Sequence, residues 1–104
     1  MRKLFVFIAF ILCSTAYSQS RAVVHINAEF NKSNDWYGLE IIDDVKVYNG
    51  YIDKQPAIKD KYSITKVPTL ILFVDGKEIK RWEGGLDMKL HVDAKEVQAE
   101  IDRL

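Results

Sequence analysis

The chain has 104 residues, 15 of them basic and 15 acidic, with a formal net charge of zero and one cysteine. That length allows one small domain, and the balanced charge gives neither a basic patch for nucleic acid nor a like-charge run of the kind found in disordered tails. A lone cysteine excludes an internal disulfide framework and a two-thiol redox centre.

The chain opens with the basic Met1-Arg2-Lys3, then an unbroken apolar run from Leu4 to Cys13, then small and polar residues from Ser14 to Ser18. Ala16 and Ser18 stand at the −3 and −1 positions of a cleavage site. Residues 1–18 are therefore read as a secretory signal peptide, and 19–104 as the domain it exports. The apolar run is about half of the roughly 20 residues a membrane span needs, so no permanent span is expected. A lipid anchor on Cys13 would need small residues before it, and Phe10-Ile11-Leu12 supplies none. Cleavage after Ser18 removes the only cysteine, so no thiol, disulfide or thiolate metal site is expected in the exported domain. The expected location is the periplasm or the exterior.

Ala22 to Ala28 is β-branched, free of breakers, and reads as a strand. Next comes the polar stretch Asn31-Lys32-Ser33-Asn34. Ser33 or Asn34 suits a helix cap and Asp35 a first turn, with Trp36, Leu39, Ile41 and Ile42 forming an apolar face. Gly38 weakens the middle of that helix, and Asp43-Asp44 mark its end. Val45 to Asp53 reads as a second strand, with Asn49-Gly50 as a bulge or break. Gln55 to Tyr62 forms a short helix with Pro56 in its first turn and Ile58 and Tyr62 on one face.

Thr69 to Val74 is nearly all apolar, as in a strand covered on both faces. Asp75-Gly76 predicts a tight turn with positive φ at both central positions. Glu78 to Glu83 returns antiparallel, and Gly84-Gly85 ends it. Asp93 to Glu96 resembles a capping box, followed by Ala94, Val97, Ile101 and Leu104 on one helical face. The order is β-α-β-α-β-β-α: an α/β domain with a mixed sheet and flanking helices, its two crossovers implying a parallel centre and its hairpin an antiparallel edge.

Pro68 at the mouth of the apolar strand, with Lys61 to Val67 before it and Asp75-Gly76 after it, resembles the core of the thioredoxin family. The resemblance covers nearly all of residues 19–104 and is most specific from Tyr62 to Gly85. It implies a trimmed thioredoxin-like fold, since only Gln19, Ser20 and Arg21 precede the first strand. It also implies a cis peptide bond before Pro68 and a peptide-binding groove at Val67. Its redox motif, Cys-x-x-Cys, falls on Asn31-Lys32-Ser33-Asn34. Carboxamides neither attack a disulfide nor leave as thiolates, so thiol–disulfide exchange by the exported domain alone is chemically excluded.

The candidate binding residues are Asn31, Lys32, Ser33, Asn34, Lys66, Val67, Pro68 and Gly84, for an extended protein or peptide segment of unknown identity. Each also has a plain reading: the Asn31–Asn34 stretch as a polar loop and cap, Pro68 as a shaped turn, Gly84 as a strand end. His25, where the family often carries a buried aspartate, is read as a core histidine with one hydrogen-bond partner, and His91 as solvated. Among Phe30, Trp36 and Tyr37 at least one must be core, and Trp82 is read as packing. Glu29 reads equally well as a surface charge. No catalytic set, metal cluster or cofactor site can be argued. The expected function is non-catalytic binding of a protein segment. Two alternatives are a part in a thiol–disulfide system whose partner supplies the cysteines, and a structural assembly subunit built on an exposed sheet edge.

Overall fold

The computed structural model describes residues 20–104. The predicted signal peptide and Cys13 lie outside the described residues. Four strands form one sheet: β1 (Arg21–Asn27), β2 (Lys46–Tyr51), β3 (Thr69–Val74) and β4 (Lys77–Glu83), in the order β2-β1-β3-β4. Two α-helices accompany them, α1 (Ala57–Lys61) and α2 (Ala94–Asp102). Among the described residues, no helix is long and apolar enough to cross a membrane.

The alternation of side chains along β1 sets the two layers. Val23 pairs with Leu72 and His25 with Leu70, facing one side; Val24 pairs with Ile71 and faces the other. Val23, Leu70 and Leu72 bury against Trp36, Ile42, Val92 and the α2 residues Ala94, Val97 and Ile101. Val24, Ile26 and Ile71 bury against Ile64, with Ile58, Tyr62 and Phe73 packed alongside. With no disulfide within residues 20–104, this burial carries the fold, at about 1.5–3 kcal/mol for each fully buried aliphatic side chain.

Asp75 and Gly76 have φ of 51° and 83°, as the predicted hairpin turn requires. Asp93 caps α2, its carboxylate accepting from the Lys95 N–H at 3.2 Å. The Glu96 carboxylate lies on the Trp82 indole N–H at 3.2 Å, which ties α2 to β4.

Three expectations change. The helix predicted between Ser33 and Ile42 is replaced by two 3-10 turns, Glu29–Asn34 and Tyr37–Glu40. Between them Asp35 and Trp36 are extended, with ψ of 139° and 128°. The carbonyl of Asn31 accepts from the Asn27 side chain, and the Trp36 N–H is spent on His25. Both groups would otherwise serve an α-helix, and local side-chain partners outcompete it.

β2 runs through Asn49-Gly50 without a bulge, pairing with β1 from Lys46 to Tyr51. A Cβ on Gly50 would meet Ile58 Cδ1 at 2.9 Å, so this glycine admits α1 rather than breaking the strand. The sheet's register irregularity falls instead between Leu72 and Phe73, opposite β4.

Only β1 and β2 are parallel; β3 is antiparallel to β1. Five-residue α1 rises about 8 Å, far less than the roughly 20 Å of a six-residue strand. The chain therefore enters β3 at the end where β2 leaves, which places Thr69 and Tyr51 at the same end of β1.

Candidate functional site

The site lies at that shared end, where β1 runs into the first 3-10 turn and β3 begins. The Val67–Pro68 peptide is cis. Three contacts hold the segment leading into it. Arg81 on β4 donates to the carbonyls of Tyr62 at 2.7 Å and Ser63 at 3.1 Å while its other donors grip Glu78. The Thr69 hydroxyl donates to the Lys66 carbonyl at 2.6 Å. The Gly84 N–H donates to the Pro68 carbonyl at 2.8 Å.

A Cβ on Gly84 would come within 2.9 Å of both the Pro68 ring and the Val67 carbonyl oxygen. Glycine is required there because two main chains meet. Val67 itself is half-buried, and neither its N–H nor its carbonyl has a hydrogen-bond partner among the described residues.

At the same end of the sheet lies a network of carboxamides. Asn27, fully buried, donates to the Asn31 carbonyl at 2.9 Å and to Asp35 Oδ1 at 2.8 Å. Asn31 donates back to Asn27 Oδ1 at 3.0 Å and to the Met88 carbonyl at 2.9 Å. It also accepts from Asn34 at 2.7 Å. Tyr51 at the end of β2 donates to Asp35 Oδ2 at 2.5 Å, an interaction that holds its phenol above the usual tyrosine range. The network joins β1, the 3-10 turn, β2 and the loop after β4.

Of the eight residues singled out from the sequence, Lys32, Ser33 and Lys66 are exposed, Asn34 and Val67 half-buried, and Asn31, Pro68 and Gly84 buried. Asn31 uses both amide donors inside the protein and its oxygen accepts from Asn34, so its carboxamide has no donor left to offer a ligand. Asn27, Asp35, Tyr51 and Met88 belong to the same cluster and were not singled out. Asn27 did carry a signal: it is a carboxamide between Ile26 and Ala28 in a breaker-free strand, where a buried polar group needs partners. The aromatics divide, with Trp36 buried and Phe30 and Tyr37 exposed. Glu29 is exposed and pairs with Lys54 at 3.2 Å, a surface contact worth little.

His25 is fully buried and has two partners rather than the single one expected. Its Nε2 accepts from the Trp36 N–H at 3.2 Å, so the proton sits on Nδ1 and is donated to Asn49 Oδ1 at 2.7 Å. Desolvation by burial lowers its pKa, opposed by the Asn49 hydrogen bond and the charge of Asp35. A second ring proton would point at the Trp36 N–H.

The unfolded chain takes up the histidine proton as pH falls through about 6.5, whereas the folded chain resists it. His25 therefore withdraws stability as pH drops below about 6.5, down to its lower folded pKa. Urea midpoints should fall between pH 7.5 and 5.5, and a His25→Gln variant should flatten that slope. His91, by contrast, is exposed and lies 2.7 Å from Asp87, whose carboxyl it holds below the usual range. Among the described residues, no three His, Cys, Asp or Glu side chains gather to hold a metal ion.

No protein-family model matches the chain. It is 52% identical over 33 residues to the thioredoxin of Chlamydia trachomatis, 32% of each chain. It is 43% identical over 47 residues to the chloroplastic thioredoxin Y1 of Arabidopsis thaliana, 45% of this chain and 27% of the other. It thus spans about a third or less of the curated relatives it matches. Among solved structures it superposes on a mutant thioredoxin of Halobacterium salinarum with a TM-score of 0.63, at 20% identity, over 88% of this chain and 80% of that one. Mitochondrial thioredoxin 3 of Saccharomyces cerevisiae gives 0.57 at 17% identity, over 90% and 88%. With four strands in this order, flanking helices and these structural neighbours, the chain adopts a trimmed thioredoxin-like fold.

Proposed function

We propose that this is an exported, non-catalytic thioredoxin-like protein that holds an extended segment of another protein against the main chain of Val67. The observation that carries this reading is the free Val67 N–H and carbonyl beside the exposed Lys66. An extended peptide satisfies such a pair by adding main-chain hydrogen bonds, as a strand does at a sheet edge. Lys32 and Ser33 stand exposed on the neighbouring turn and supply the polar rim.

The chain's one cysteine, Cys13, cannot form a Cys-x-x-Cys pair. The carboxamide network supports a site whose shape is fixed rather than one that exchanges bonds. The role of Asn31 and Asn34 in this reading is to brace the turn, and ligand contact falls to Lys32, Ser33, Lys66 and Val67.

The test is a backbone-amide shift titration with an unfolded protein whose cysteines have been alkylated. The largest shifts are expected at Val67 and Lys66, and Lys32→Glu with Lys66→Glu should change the affinity several-fold. Shifts gathered on another face, or no binding, would sink the reading. Gly84→Arg is a poor blocking variant because its Cβ alone collides with Pro68 and Val67.

A further inference from the structure

The two faces of the sheet are covered unequally. Trp36 and α2 close one of them. On the other, five-residue α1 and Ile64 leave part of the strands uncovered. The result is an apolar groove of about 470 Å³, with Ala22, Val24 and Ile26 of β1 as its floor, Phe73 beside them, and Ile58 and Tyr62 as a wall. That volume lies within the roughly 300–1,000 Å³ of small-molecule sites. From Ala22 to Ile26 the floor runs about 13 Å along the strand.

Lys61 is the only charged residue lining the groove, and among the described residues no carboxylate pairs with its amine. The amine stands 5.3 Å from the centre of the Tyr62 ring, which in turn lies 5.8 Å from the Phe73 ring. Phe73 pairs with Ala22, so the cation stands at the Ala22 end of the floor. The Gln55 carboxamide and the Tyr62 hydroxyl have no hydrogen-bond partner among the described residues. Gln55 Oε1 lies over Gly50, which pairs with Ile26 at the opposite end. An apolar body with one cation at its end and no acid along its walls suits an apolar chain that ends in an anion.

We propose that this groove binds a linear alkyl carboxylate of the medium-chain fatty acid class. The carboxylate sits on Lys61, and the alkyl chain runs along Val24 and Ile26 toward Gly50. The size of the groove favours a small molecule over a protein. Its floor is about 13 Å long and two strand spacings, about 10 Å, wide. A stable protein interface covers about 800 Å² on each partner, several times that area. Neither Lys66, Val67 nor the Asn31–Asn34 turn lines the groove, so this inference does not rest on the peptide reading.

Amide-shift titration with decanoate, on the protein recovered after expression of the full chain, tests the proposal. Saturable shifts are expected at Ala22, Val24, Ile58 and Phe73. Octanoate, two methylenes shorter, should bind about fifteenfold more weakly. Decyltrimethylammonium, with the same chain and the opposite charge, should bind about tenfold more weakly than decanoate. Lys61 is exposed, so Lys61→Glu should fold, and it should reverse that preference. Lys66→Glu, at the peptide site, should leave decanoate binding unchanged, which separates failure of this site from failure of the peptide reading. The absence of saturable shifts, shifts gathered on another face, or equal binding of the two head groups by the parent and by Lys61→Glu would overturn the proposal. Shifts at the same residues on raising the protein concentration alone would assign the groove to a second copy and would overturn it equally.

Discussion

Trp36→Ala should lower the free energy of unfolding by about 3–5 kcal/mol, read as a shift in urea midpoint at an unchanged slope. Small domains hold about 5–15 kcal/mol in total, so the variant should lose a large share of its stability. The size of the effect follows from what replaces the missing helix. The segment between β1 and β2 covers its face of the sheet with two short 3-10 turns, which bury little of their own surface. Trp36, in the extended link between them, fills that layer against Val23, Leu70 and Leu72.

Its backbone N–H serves His25, and its indole N–H donates to the Val92 carbonyl at 2.9 Å. The ring rests against Gly38, where a Cβ would lie 2.3 Å from the nearest ring atom. Truncation would therefore open a cavity and strand a carbonyl in the same place. Trp36→Phe, which keeps most of the ring and loses the N–H, should cost markedly less. Equal losses for the two variants would show that the hydrogen bond to Val92, rather than the ring, carries the contribution.

Much of this architecture can be read from residue types. The apolar run Thr69–Val74, the turn Asp75-Gly76 and the Ala94, Val97, Ile101 face each state a local preference that the tertiary structure keeps. What could not be read are the features set by long-range partners. The 3-10 turns in place of a helix arise because Asn27 and His25, both on β1, capture groups the helix needs. The antiparallel entry of β3 follows from the shortness of α1, which the apolar pattern of Gln55 to Tyr62 overstates.

The directions of the candidate side chains were less legible than the strands. Asn31 turns its amide inward, toward Asn27 and Met88, and Asn34 donates to Asn31, which no local spacing announces. Gly84 abuts Pro68 and the Val67 carbonyl, so the reason for a glycine there is close contact with the Val67–Pro68 segment rather than a free strand end.

Asn27→Ala should cost about 2–4 kcal/mol, although it removes no apolar surface, and it should loosen the site more than the core. The side chain is fully buried and makes three hydrogen bonds. Its loss leaves the Asn31 carbonyl, one Asn31 donor and Asp35 Oδ1 short of a partner, at about 1–3 kcal/mol for each buried group that water does not reach. Asn31 keeps the Met88 carbonyl, and Asp35 keeps Tyr51, so the total stays below the simple sum. Amide exchange should quicken from Glu29 to Asp35 and near Met88, while the β3 amides, held by the sheet, change only with global stability.

Asn27→Asp separates hydrogen bonding from shape. It keeps the outline of the side chain but turns the donor that meets Asp35 at 2.8 Å into an acceptor. Two carboxylates at that distance repel, so the new group would hold its proton well above the normal carboxylate range. A raised folded pKa means this variant regains stability, relative to the parent, as pH falls through it. It should therefore be the weaker of the two variants at pH 7.5 and should close the gap on Asn27→Ala at pH 5. If both variants matched the parent within about 0.5 kcal/mol, the carboxamide network would be a passive filling. The bracing role assigned to Asn31 and Asn34 would then fall, and with it the argument that the Asn31–Asn34 turn is held rigid for a bound chain.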